Sequence, residues 1–412
     1  MTAPSPSDPQ ATSTPSSSGG HALAPRFHGG HAVVGTDPRS PRPRRTGLIL
    51  GILGGAAVLA TLGITQLTAS LGYDAAAENY DDATATVTRE KSDLRTESSD
   101  LQAVSEAALL IVDHPADVLV VDAAAEDALR AAVAAADEAT TSADALVASE
   151  LPPAGEKPAL FWDLFGSTAQ LDGRSADAAG LAADLDTTSA EVGEASTALV
   201  ESGIALLSTA GEAAVPFEAA HISARNDAVV ALRDAAADVL TISTIDDAAA
   251  TTYIALQDAA AQVVATETEE LAEKAGPLLG ARLEIEAFAR ALAPGVLLEF
   301  DWAPVVNGAG YNGSMGGYTT WWWDDPGRSV IQLSNSVAEQ WPADRSQALV
   351  AHEVGHAISV KCQDMYDSST QDSIEKWATA WAISMGFTDD ANGVWAYGYP
   401  PQSYIDAAAG CR

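Results

Sequence analysis

Residues Gly47–Leu71, GLILGILGGAAVLATLGITQLTASL, run for 25 residues without a charged side chain. As a helix rising about 1.5 Å per residue, such a run is long enough to cross the ~30 Å hydrocarbon layer of a bilayer. Arg39, Arg42, Arg44 and Arg45 precede it, and Asp74, Glu78, Asp81 and Asp82 follow it. The positive-inside rule then places the N-terminus in the cytoplasm and everything after about residue 72 outside. A cleaved signal peptide is the competing expectation: Thr68-Ala69-Ser70 supplies small residues, and Arg44-Arg45 has a twin-arginine look. A leader of 46 residues ahead of the apolar run is long for that, and both readings export the bulk of the chain.

The flanking segments differ sharply. The net charge of −36 divides into +3 over residues 1–46, −30 over 47–295 and −9 over 296–412. A carboxylate surplus of this size repels phosphate backbones, which speaks against nucleic-acid binding. Residues 1–46, rich in Pro, Ser and Gly, bury too little apolar surface to offset chain entropy and are expected to be a disordered cytoplasmic segment. The two cysteines, Cys362 and Cys411, form an even pair, and in an oxidising compartment they predict one disulfide.

From residue 72 to about 294 the chain is Ala-rich and acidic, with apolar residues at helical spacing. Leu94, Leu101, Val104, Ala108 and Val112 follow one stripe; Val229, Leu232, Ala236, Val239 and Leu240 follow another. His114-Pro115, Leu151 to Gly155, Gly211 to Pro216 and Gly276-Pro277 are expected breaks, giving antiparallel helices in a bundle or stalk. The acidic surface is expected to be a solvated face.

At about residue 295 the composition changes. Eight of nine Trp lie in residues 296–412, among Gly-rich turns. Val296–Phe300, Tyr318–Trp323 and Ser329–Leu333 read as strands, and Pro342–Val360 and Asp372–Met385 as helices. The expected architecture is therefore multi-domain: segment 1–46, a transmembrane helix 47–71, an all-α bundle or stalk 72–294, and a C-terminal α+β domain 295–412. Alternation puts Trp321 and Trp323 on one face, expected to fill the core, with Trp322 opposite.

Within that last domain stands His352-Glu353-Val354-Gly355-His356, an H-E-x-x-H sequence in a helical pattern. Positions i and i+4 share a helix face, so both imidazoles can converge on one metal ion with Glu353 beside them. Two histidines leave such an ion short of a third protein ligand. Glu375 is the favoured candidate, because Ala378 and Ala382 share its face and let its helix approach closely. A Cys362 thiolate and Asp364, Asp367 or Asp372 are the alternatives.

With His352, Glu353, His356 and Glu375, residues 330–390 resemble the zinc metallopeptidases with a downstream glutamate, the gluzincin or thermolysin-like class in its broad sense. The resemblance implies a zincin-like fold, Zn2+ held by His352, His356 and Glu375, and hydrolysis of a peptide or protein substrate with Glu353 as general base. It also implies that Ser329–Ser334 is an edge strand receiving extended substrate. Two departures stand out: Thr379 occupies the place of a histidine-orienting Asp, and residues 296–412 contain no further His. A tyrosine must then stabilise the developing oxyanion, from among Tyr397, Tyr399, Tyr404 and Tyr366.

The resulting expectation is a single-pass peptidase of a bacterial cell membrane, its helices outside and an envelope protein as their candidate partner. The alternative is a helical ectodomain for signalling, adhesion or envelope structure, with a metal-stabilised but inactive C-terminal cap.

Overall fold

A computed structural model describes the backbone from Thr46 to Arg412 and side chains from Val58. The cytoplasmic segment read above, up to residue 45, lies outside the described residues, as do the side chains of the first half of the apolar run. The chain divides into two compact units, residues 1–65 and 66–412. In the first, Val58, Leu59, Leu62 and Ile64 are exposed on a helix.

Helix α1 (Thr46–Val112) ends just before His114-Pro115, and α2 (Ala123–Val147) ends before the Leu151–Gly155 breaker. Asp122 caps α2 by accepting from the Ala124 amide at 2.8 Å. Helix α3 (Phe161–Ala220) runs parallel to α1, with Ser189 donating to Glu97 at 2.5 Å. Helix α2 is antiparallel to α1: Arg130 reaches the Val112 carbonyl at one end, and Lys91 reaches the Ser149 carbonyl at the other.

The core explains the length of these helices. Tyr73, Tyr80, Val87, Leu94, Leu101 and Ala108 are buried at seven-residue intervals on α1, as are Leu164, Leu171, Ala178, Leu185, Val192, Leu199 and Leu206 on α3. A strict period of seven keeps one seam facing its partner along the whole length, which is coiled-coil patterning. Helix α3 is also long and apolar enough to cross a membrane by length and composition.

The break expected at Gly211–Pro216 does not occur; α3 continues to Ala220. Gly211 serves packing instead, since a Cβ there would stand 2.7 Å from Leu240 on α4 (Asn226–Leu240). Pro216 lies inside α3 and donates no hydrogen bond to the Glu212 carbonyl, yet the helix runs on for another four residues. Helices α5 (Asp247–Glu273) and α6 (Leu279–Leu292) flank the Gly276-Pro277 break as expected.

Strands β1 (Leu297–Ala303), β2 (Gly317–Trp321) and β3 (Arg328–Ser334) form one sheet in the order β1-β3-β2, with β1 parallel and β2 antiparallel to β3. This overturns the expectation of Ser329–Ser334 as an edge: β3 is central, its backbone paired on both sides, and β1 and β2 are the two edge strands. The remaining elements are α7 (Asn335–Glu339), α8 (Asp344–Ser359), α9 (Gln371–Ser384), α10 (Val394–Tyr397) and α11 (Gln402–Ala408).

A second core joins the sheet to α8 and α9 through Phe300, Ile331, Leu333, Val350, Val354, Trp377 and Trp381. It begins before residue 295, since Ile285 and Ala289 of α6 belong to it. Buried polar groups bind it to the helices: the Asn226 amide donates to Glu299 at 2.7 Å, and Lys274 pairs with Glu270 (3.1 Å) and Glu286 (3.2 Å). The Cys362–Cys411 disulfide forms as expected, which excludes a Cys362 thiolate as metal ligand.

Candidate metal centre

Helix α8 is buried on every side from Ala348 to Ser359, so its two histidines must find partners inside the protein. Helix α9 starts at Thr370, whose hydroxyl accepts from the Ser373 amide at 3.3 Å, and places Glu375 in its second turn. The helices touch backbone to backbone at Gly355 and Ala378, as the small residues on the Glu375 face led us to expect.

Three lone-pair atoms converge as a result. Glu375 Oε2 lies 3.2 Å from His352 Nε2 and 3.1 Å from His356 Nε2, and the two Nε2 atoms are 3.2 Å apart. A tetrahedral ion with bonds of about 2.0–2.1 Å separates its ligands by about 3.3 Å. The triangle therefore fits one face of such a tetrahedron, and all three residues are buried. His352, His356 and Glu375 could hold a metal ion. Asp364, Asp367 and Asp372 are exposed and take no part; Asp372 pairs with Lys376 at 2.7 Å.

The surroundings orient these ligands. Gln371 donates to Glu375 Oε1 at 2.8 Å. Thr379 donates its hydroxyl proton to the Glu375 carbonyl at 2.8 Å, so toward His352 Nδ1, 3.4 Å away, it can only accept. That arrangement puts the ring proton on Nδ1 and leaves the Nε2 lone pair for a metal. Trp321 stacks on His356 (5.3 Å, 4°) and Tyr397 on His352 (5.8 Å, 12°). Burial tends to raise the Glu375 carboxyl, but when the two imidazoles are protonated, with no metal on Nε2, hydrogen bonds from His352 and His356 and their charges outweigh it and hold it well below the usual range.

Glu353 sits beside the triangle against β2. Its Oε2 accepts the Thr319 hydroxyl at 2.7 Å, and a Cβ at Gly317 would stand 2.3 Å from its Oε1. Burial pushes its pKa up, partly countered by His352 and by Thr319. Both carboxylates line a cleft of about 380 Å³ with Trp321, Trp323 and Tyr397. Trp321 packs against the second core as expected and also walls this cleft, whereas Trp323, expected in the core with it, is 41% exposed, its ring edge-on to Trp321 at 6.0 Å. Trp322 turns the other way and lies under Arg328.

Among the tyrosines, Tyr397 faces the site. Burial and the nearby Glu375 and Glu353 carboxylates push its phenol up to about 12, so it remains an O–H donor. Tyr399 is 67% exposed and outside the cleft lining. Tyr366 and Tyr404 pack on Trp377 instead, the latter bonded to Ser373 at 2.8 Å. Sequence reasoning missed Gly317 and Thr319, whose contacts with Glu353 span more than thirty positions and leave no local mark, and Gln371, whose place one helical turn before Glu375 was the signal available. No protein-family model, curated protein or solved structure matches the chain.

Proposed function

We propose that the protein is a membrane-anchored, extracytoplasmic zinc peptidase. The observation that carries this reading is the Nε2–Nε2–Oε2 triangle with the buried Glu353 carboxylate beside it in one open cleft. A zinc ion held by His352, His356 and Glu375 would polarise a peptide carbonyl and acidify a water in that cleft. Glu353, held in place by Thr319 and raised by burial, takes a proton from the attacking water and delivers it to the leaving amine. Tyr397 donates its O–H to the charge developing on the carbonyl oxygen. The open edge of β2, which borders the cleft from Gly317 to Trp321, supplies backbone groups for pairing an extended peptide.

The anchor is Gly47–Leu71, with residues 1–46 in the cytoplasm and the rest outside a bacterial membrane. That reading rests on the uncharged run and its flanking charges.

Glu353→Gln tests the activity. The variant should bind as much zinc as the parent and lose cleavage of a generic peptide pool; equal cleavage by both would overturn the reading. Glu375→Ala is the companion, for which zinc content should fall.

A further inference from the structure

Trp162 is the one tryptophan before residue 296, and it is 57% exposed. Beside it at the start of α3, Phe165 is 55% and Leu160 46% exposed, while Phe161 packs against the helical core and touches both aromatic rings. Positions 162 and 165 share a helix face, so this is one apolar patch with two aromatic rings, whereas the other exposed apolar residues of the helical region, such as Val120, Val215 and Ile222, are aliphatic.

Its position is fixed relative to α1. Gln66 Nε2 donates to the Ala159 carbonyl at 3.1 Å, and Lys157 pairs with Asp74 at 2.6 Å. Tyr80 bonds the Pro152 carbonyl, so the whole 150–160 connection is strapped down along α1. These contacts set the α3 tip level with Gln66–Leu71, where Leu67 and Leu71 are each 59% exposed. Those are the last turns of the uncharged run, and the first carboxylate, Asp74, follows directly.

We propose that the α3 tip, through Trp162, Phe165 and Leu160, is a second membrane contact that rests in the interfacial layer of the bilayer crossed by Gly47–Leu71. The proposal rests on that anchor. Trp favours the depth where one side of the ring is apolar and the other wet, and Lys157 stands at the headgroup level beside it. Continuity with the uncharged run selects lipid as the occupant. One helix alone leaves the tilt of an ectodomain free; two contacts on separate helices hold the coiled coil upright on the membrane.

The test uses the full chain reconstituted in phosphatidylcholine vesicles with brominated acyl chains. The emission difference between the parent and Trp162→Phe isolates Trp162, and this signal should fall roughly twofold relative to non-brominated vesicles. Alkaline carbonate extraction on the same vesicles reports the anchor independently. A chain that resists extraction while Trp162 is unquenched overturns the α3 contact and leaves the anchor standing. A chain that is extracted overturns both. Self-association in detergent that Trp162→Ala/Phe165→Ala abolishes, with no quenching in vesicles, would assign the patch to a second copy and also overturn the proposal.

Discussion

Gly355 of α8 meets the backbone of Ala378 on α9 so closely that a Cβ at position 355 would stand 2.8 Å from the Ala378 carbonyl oxygen. The contact lies between His352 and His356 on one helix and one turn beyond Glu375 on the other. Gly355→Ala should push the helices apart, open the ligand triangle, and cost about 1–3 kcal/mol of stability. Chelator competition and thermal unfolding are the measurements; unchanged zinc affinity would show that the triangle does not depend on this approach.

Thr379 fixes the His352 tautomer through a hydroxyl that also binds the Glu375 carbonyl. Thr379→Val keeps the shape and removes both interactions, and zinc affinity should fall roughly 10–100-fold, as for other groups that orient metal ligands. Thr379→Ser should restore most of it.

Gly317 leaves room for the Glu353 carboxylate. Gly317→Ala should displace Glu353, the proposed general base, without touching His352, His356 or Glu375, so kcat should drop at least tenfold while zinc content stays level. Parallel loss of zinc would mean that the substitution acts on the fold.

The disulfide closes a separation of 49 residues and holds the tail where the Cys411 carbonyl accepts from Trp381 on α9 at 2.9 Å. Its removal by Cys362→Ser/Cys411→Ser should cost about 2–4 kcal/mol. Urea unfolding of parent and variant would measure the loss, and a reductant should lower the stability of the parent alone.

Burial raises the Glu299 pKa, although the Asn226 amide donates to its carboxylate and partly offsets the effect. A carboxyl raised on folding contributes stability below its unfolded pKa and loses it as pH rises through the folded value. Glu299→Gln keeps an acceptor for Asn226 and should gain on the parent as pH rises from about 4 toward neutrality. Denaturant midpoints across that range check the sign, and a gap widening toward acid would contradict it.

Much of the candidate site was readable because its parts are local. Two histidines four apart fall on one helix face whatever surrounds them, and Ala378 already marked a face able to come close. The same locality located the helix ends at His114-Pro115 and Gly276-Pro277, and two cysteines by themselves admit one pairing. Gly211–Pro216 misled because glycine serves close packing as well as turns, and only the neighbour, Leu240, distinguishes the two uses.

The amino-acid sequence by itself determined the uncharged run, most of the helical and stranded segments, and the candidate metal-holding group His352, His356 and Glu375. Tertiary structure alone decided that β3 is central and β2 an edge strand beside the cleft, that Trp321 stands over His356, and that Thr319 holds Glu353. The division has one physical cause. Helical periodicity and turn chemistry act over a few residues, whereas strand order and side-chain partners depend on which distant surfaces bury each other, and no single segment carries that information.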